Sequence, residues 1–154
     1  MCGITGIYSI NNISNLEERI QKMNSSIKHR GPDAGGKYID NNLALGHRRL
    51  SIIDTREVSN QPMHSNSNVW HLVFNGEIYN FEEIKSQLNY NFKTSSDTEV
   101  ILAAVEEKGM NWFINQANGM FAIAIYNSET KDLFLVRDRL GIKPLYFYND
   151  GNII

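Results

Sequence analysis

Position two holds the chain's only cysteine, behind a methionine of the kind that is trimmed when a small residue follows. Once Met1 is removed, the first residue carries a thiol and an α-amine on one Cα. In small peptides an α-amine titrates at about 7.7–8.0 and a thiol at about 8.5, so near neutrality the amine can take the thiol proton directly or through one water. One residue is then both nucleophile and base, the N-terminal variant of the catalytic-triad logic. Gly3 permits close approach of a substrate to the backbone. The competing reading of Cys2 is a small buried hydrophobe at the start of a strand.

Three further groups complement such a nucleophile. Asn75-Gly76-Glu77 directly follows an apolar run. It is either a tight turn or an oxyanion hole, in which the Asn75 amide and the Gly76 N–H face an oxygen that becomes negative during attack. Arg49 and Arg48 fall on opposite faces of one strand, so one can reach solvent and the other a site. An Arg at a strand end suits a carboxylate or a surface ion pair. Asp97, at a helix start, is favoured there by the dipole and can also bind an ammonium. Arg49 and Asp97 together would hold both ends of a free α-amino acid. HRGPD (29–33) reads as a rigid turn and RDRLGIKPL (137–145) as a loop punctuated by Gly and Pro, both structural. The four histidines lack metal-ligand spacing, so no metal is expected.

These residues need a scaffold. With 154 residues, 42% of them hydrophobic and 21% charged, the chain suits one domain with its own core and not a disordered or fibrous class. A net charge of −2 without a basic stripe argues against nucleic acid, and no polybasic cluster is present to hold anionic lipid. The longest apolar run, 120–126, falls far short of the roughly 20 residues that span a bilayer, and no signal peptide is visible. A single cysteine makes neither an internal disulfide nor a thiolate metal site, so a reducing, cytoplasmic setting is expected. Capping boxes at Ser14/Glu17, Asn80/Glu83 and Ser96/Glu99 predict three helices, the third ending at Lys108-Gly109. Strands are predicted over 3–9, 43–47, 50–54, 69–75, 120–126, 132–137 and 145–148. Runs 69–74 and 120–126 are apolar on both faces, so both should be covered on two sides. The expected fold is a layered α+β domain, stacked sheets with helices outside.

Taken together, MCGI (1–4), HRGPD (29–33), HRRLSIID (47–54), NGEIYN (75–80), SDTEVI (96–101), GMFA (119–122) and RDRLGIKPLY (137–146) resemble the glutaminase domain of class II glutamine amidotransferases. The forms of the third to fifth motifs are most similar to the asparagine synthetase branch, that of glutamine-hydrolysing enzymes. The resemblance covers nearly the whole chain in order. It implies an N-terminal-nucleophile (Ntn) fold, a four-layer αββα sandwich of two antiparallel sheets, spanning residues 2–154. It also implies roles. Cys2 matches the nucleophile, Asn75 and Gly76 the oxyanion hole, and Arg49 the group that binds the glutamine carboxylate. Asp97 and Glu77 match groups around the α-amine and amide, with backbone at Ile52 and Ile53 lining the pocket. Full-length members carry a synthetase domain that uses ATP and Mg and accepts the ammonia. Its glycine-rich phosphate loop has no counterpart here, so a glutaminase domain without cofactor, ending before its last strand, is expected.

Overall fold

The computed structural model describes residues 2–11, 13–52 and 54–154. Its layering follows from side-chain alternation on the two most apolar strands. β5 (Trp70–Ile78) and β6 (Gly119–Asn127) pair antiparallel at the centre of a four-stranded sheet ordered β4-β5-β6-β7, with β4 at Met63–His64 and β7 at Leu133–Arg137. A three-stranded sheet, β1-β3-β2, is made of β1 (Gly3–Tyr8), β2 (Ala34–Asp40) and β3 (Leu43–Arg49), again all antiparallel.

Successive side chains on a strand point to opposite faces, so a doubly apolar strand feeds two cores. Leu72 and Phe74 of β5, with Ile123 and Ile125 of β6, pack against a helical layer that contributes Val100, Ile101 and Val105. The intervening Val73, Ala124 and Tyr126 face the other sheet and meet Leu43 and Leu45 of β3. Ile7 and Ala44, on the far face of that sheet, are covered by Leu16 and Ile20 of α1 (Leu16–Ser26). The helical layer comprises α2 (Phe81–Lys85), α3 (Asp97–Lys108) and α4 (Met110–Gln116). The order is therefore helix, sheet, sheet, helices, the sandwich expected from the motifs.

Individual elements depart from the sequence expectations. The Ser96 box forms, with Ser96 Oγ accepting from Glu99 N, and α3 ends at Gly109 with φ +86°. The Ser14/Glu17 box does not form, because left-handed Asn15 occupies the N-cap of α1. Asn80 caps α2 without a side-chain bond; its amide instead joins Gln116 O at 3.0 Å and Asn118 N at 2.9 Å. Residues 50–52 and 54 form no strand, since Asp54 (φ +45°) turns the chain there. Residues 145–148 are likewise irregular, with Tyr146, Phe147 and Tyr148 largely exposed. β2, β4 and α4 were not expected. Ile154 exchanges two backbone hydrogen bonds of 2.8 Å with Tyr8 along the outer edge of β1.

Candidate active site

Inward positions of β3 read Leu43, Leu45, His47, Arg49, apolar at one end of the inter-sheet layer and polar at the other. On β5 the matching row is Val73 followed by Asn75, and Cys2 has the same parity as Ile4 of β1. Period-two alternation thus delivers Cys2, Arg49 and Asn75 to one end of the gap between the sheets. There they line a cleft of about 170 Å³, which Asp97, Gln61 and Lys143 also border.

Cys2 precedes β1, and its partly exposed thiol lies against the Leu50 peptide just beyond β3. Leu50 N donates to Sγ at 3.4 Å, and Sγ lies 3.6 Å from Leu50 O. Gly3, read as permitting substrate approach, is not among the residues that line the cleft. A Cβ there would come within 2.7 Å of Ile27 Cδ1, so its glycine makes room for the turn that follows α1.

Asn75 and Gly76 are not a tight turn, since both lie inside β5. Opposed residues of an antiparallel pair alternate between exchanging and not exchanging hydrogen bonds. Gly76 faces Phe121, whose N–H and C=O both go to Asp138. Phe74 and Ile78, each two residues from Gly76, direct their N–H groups away from β6, to Gln61 Oε1 at 2.6 Å and Asp97 Oδ2 at 3.1 Å. Gly76 N–H therefore points out of the same edge, between those two side chains and toward the cleft. The Asn75 side chain is buried and borders the cleft. Glycine is required at 76 by the neighbouring strand. A Cβ would collide with Met120 O and lie 2.6 Å from Phe121 Cα.

The two charged ends are built differently. Arg49, buried at the end of β3, donates to Arg56 O (3.0 Å), to Asn60 Oδ1 (2.8 Å) and to Asp54 O. It thereby ties together Asp54, Arg56 and Asn60, the segment that brings Ser59 to the wall of the cleft, a bracing role that the sequence did not suggest. Arg48 points the other way and holds Gly31 O at 3.0 Å. Asp97 opens α3, and burial together with the nearby Glu77 carboxylate pushes its pKa up to about 6. Glu77 itself is exposed. Ile52 borders the cleft with 74% of its surface exposed; Ile53, expected beside it, lies outside the described residues.

Sequence reasoning missed Gln61 and Lys143. Asp138 accepts from the N–H groups of Leu140, Ile142 and Lys143, which folds loop 137–145 back and buries Lys143 at the cleft. The only signal was the Gly/Pro punctuation, which marks a turn without saying what it presents. His29 and the rest of HRGPD stay outside the cleft: a Cβ at Gly31 would collide with the Arg48 backbone, so this turn braces β3. No group of three His, Cys, Asp or Glu among the described residues could hold a metal ion. A larger groove of about 570 Å³ elsewhere is mostly apolar, lined by Leu45, Leu133, Leu145 and Tyr146 among others, and does not include Cys2. No helix among the described residues is long and apolar enough to cross a membrane.

Known proteins carry the same architecture. The family model of the glutamine amidotransferase domain matches residues 1–154. The chain is 41% identical to the putative asparagine synthetase [glutamine-hydrolyzing] 2 of Methanocaldococcus jannaschii, covering 99% of the chain and 33% of that protein. It is 42% identical to asparagine synthetase B [glutamine-hydrolyzing] of Escherichia coli over 97% of the chain and 27% of that protein. The chain thus spans about a third or less of these relatives. Among solved structures, the glutamine phosphoribosylpyrophosphate amidotransferase of B. subtilis, complexed with ADP and GMP, superposes with a TM-score of 0.78 at 22% identity. That superposition covers 99% of this chain and 40% of that one, and it shows the fold to be of the Ntn type.

Proposed function

The chain belongs to the glutamine amidotransferase domain family, and on that premise we propose that its cleft hydrolyses L-glutamine to L-glutamate and ammonia through a thioester on Cys2. The observation that carries the reading is the convergence, in one small cleft, of a partly exposed thiol, a buried side-chain amide, an outward N–H, an arginine and a buried carboxylate.

The steps follow from that inventory. Glutamine enters with its α-carboxylate toward Arg49 and its α-ammonium toward Asp97 and Glu77, with backbone at Ile52 along the wall. The α-amine of a processed Cys2 takes the thiol proton, and Sγ attacks the side-chain amide carbon, forming an S–C bond. The amide oxygen becomes negative and is met by the Asn75 side-chain amide and the Gly76 N–H, both of which border the cleft before charge develops. The ammonium of Cys2 then protonates the departing nitrogen as the C–N bond breaks, releasing ammonia. Water, deprotonated by the same amine, cleaves the thioester to glutamate. Every step uses protein groups and water, with no metal or cofactor. In a longer protein the ammonia would pass to a synthetase domain, and the names of the relatives favour an asparagine-forming acceptor that uses ATP and Mg there.

Intact mass before and after reaction with a glutamine-like electrophile tests this. The expected result is a chain lacking Met1 that gains one adduct, mapped to Cys2, with free glutamine protecting. A folded, trimmed chain that takes no adduct refutes the proposal.

A further inference from the structure

β4 ends at His64 and pairs only with His71 and Leu72, so beyond Leu72 the edge of β5 has no neighbouring strand among the described residues. Buried N–H and C=O groups on such an edge need other partners. Side chains supply them. Gln61, 7% exposed, accepts from Phe74 N at 2.6 Å through Oε1 and donates through Nε2 to Thr98 Oγ1 on α3 at 3.4 Å. His47 on β3 lies 3.2 Å from Phe74 O through Nε2, which must carry the proton to make that bond. Asp97 takes Ile78 N at the far end. The Gly76 N–H is the one between Gln61 and Asp97.

We propose that Gln61 is a positioning residue for amide hydrolysis, its carboxamide standing in for the missing strand so that the next edge N–H, that of Gly76, is aimed at the developing oxyanion. The proposal rests on the oxyanion-hole reading above. Gln61 touches neither the thiol nor the reacting carbon; it acts through the Phe74 peptide. Two features make the aim rigid. The Gln61 carboxamide joins two layers, the sheet through Phe74 and the helices through Thr98. The Gln61 backbone is braced from behind, because its carbonyl sits where a Cβ on Gly36 of β2 would be. A strand edge held at Phe74 and Ile78 leaves the peptide between them little freedom to rotate. An oxyanion donor is effective only when its direction is set before charge appears.

The test uses the full chain. Gln61→Met keeps the length of the side chain and removes both hydrogen-bonding groups. Gln61→Glu keeps the acceptor for Phe74 N, and Thr98 Oγ1 then donates where it had accepted. Gln61→Met should lower kcat by about 10- to 100-fold, less than the roughly 10²–10³ lost with an oxyanion donor itself. Its KM, and glutamine affinity measured calorimetrically in a Cys2→Ala background, should stay within about threefold, because ground-state contacts are untouched. Gln61→Glu should recover most of the kcat. Unchanged kcat in a folded Gln61→Met overturns the proposal, as does a parallel loss of affinity that Gln61→Glu fails to rescue. If Gln61→Met does not fold, Thr98→Val loosens the same tie from the other end, and wild-type kcat there also overturns it. The Gly76 amide resonance separates this from failure of the glutaminase reading. It should shift in Gln61→Met while that of Ala124 does not, whether or not the wild type turns over, and an unmoved Gly76 signal refutes the aiming role by itself.

Discussion

Glutamine binding should weaken in mild acid because of Asp97. Burial and the Glu77 carboxylate raise its pKa to about 6, while Ile78 N–H, donating at 3.1 Å, favours the charged form. Arg49 and Lys143 bring positive charge to the same cleft. In the proposed complex the substrate ammonium pairs with a charged Asp97, so affinity follows the ionised fraction. At pH 7 that fraction is about 0.9, and at pH 5 about 0.09, so KM should rise about tenfold between them and about tenfold more per unit below. The assay is steady-state glutamate release from pH 5 to 8, reading KM separately from kcat. Asp97→Asn keeps an oxygen for Ile78 N and removes the charge. It should raise KM by roughly 30-fold or more, the effect of removing one partner of a buried charge pair, and abolish the pH break. A KM that stays flat to pH 5, or a break that survives in Asp97→Asn, refutes the ammonium-binding role.

Three other outcomes follow from the same geometry. Asn75→Ala should lower kcat by roughly 10²–10³ with KM within a few-fold in the same assay, and equal losses in binding would refute its oxyanion role. Arg49→Ala should raise KM for glutamine and also lower the melting temperature, since its guanidinium gathers the Asp54 and Arg56 carbonyls; a KM effect without destabilisation would contradict that bracing. His47 is fully buried and its pKa is lowered to about 4, burial being the main cause. The unfolded chain binds this proton more tightly, so its contribution is present above about pH 6.5 and is lost as pH falls toward 4, on the order of 3 kcal/mol. The raised Asp97 acts oppositely, favouring the fold as pH falls from about 6 toward 3.8. Asp97→Asn should therefore steepen the loss of urea stability between pH 6 and 4, and an unchanged slope would refute the opposition.

Long apolar runs declared themselves, and local punctuation did not. β5 and β6 were legible because both of their faces are apolar, which only a strand between two layers tolerates. β2 was not, because Gly35 and Gly36 carry no strand signal. Their role is tertiary: a Cβ on Gly36 would collide with Gln61 O, and one on Gly35 would crowd the Arg48 guanidinium. The run 50–54 has strand composition, but the chain turns at Asp54, where Arg49 draws the Asp54 and Arg56 carbonyls together. Asn80 looked like a capping residue; its amide had better partners in Gln116 and Asn118, close in space and remote in sequence.

The residues of the site were visible in the sequence by type. A thiol at position two, an Asn-Gly after an apolar run, an Arg ending one strand and an Asp opening a helix are intrinsic reactivities and local propensities, and these reside in the chain itself. Their convergence was not visible. Cys2 and Arg49 meet because β1 lies against β3 in a register pairing Gly3 with Arg48, and Asn75 joins them because the two sheets stack. Only tertiary structure decided that Gly76 N–H faces outward, since ladder parity belongs to a pair of strands and to neither alone. It likewise decided that Asp97 is buried beside Glu77, which raises its pKa. Propensity acts within a few residues, whereas direction, burial and charge in this cleft are set by segments tens of residues apart.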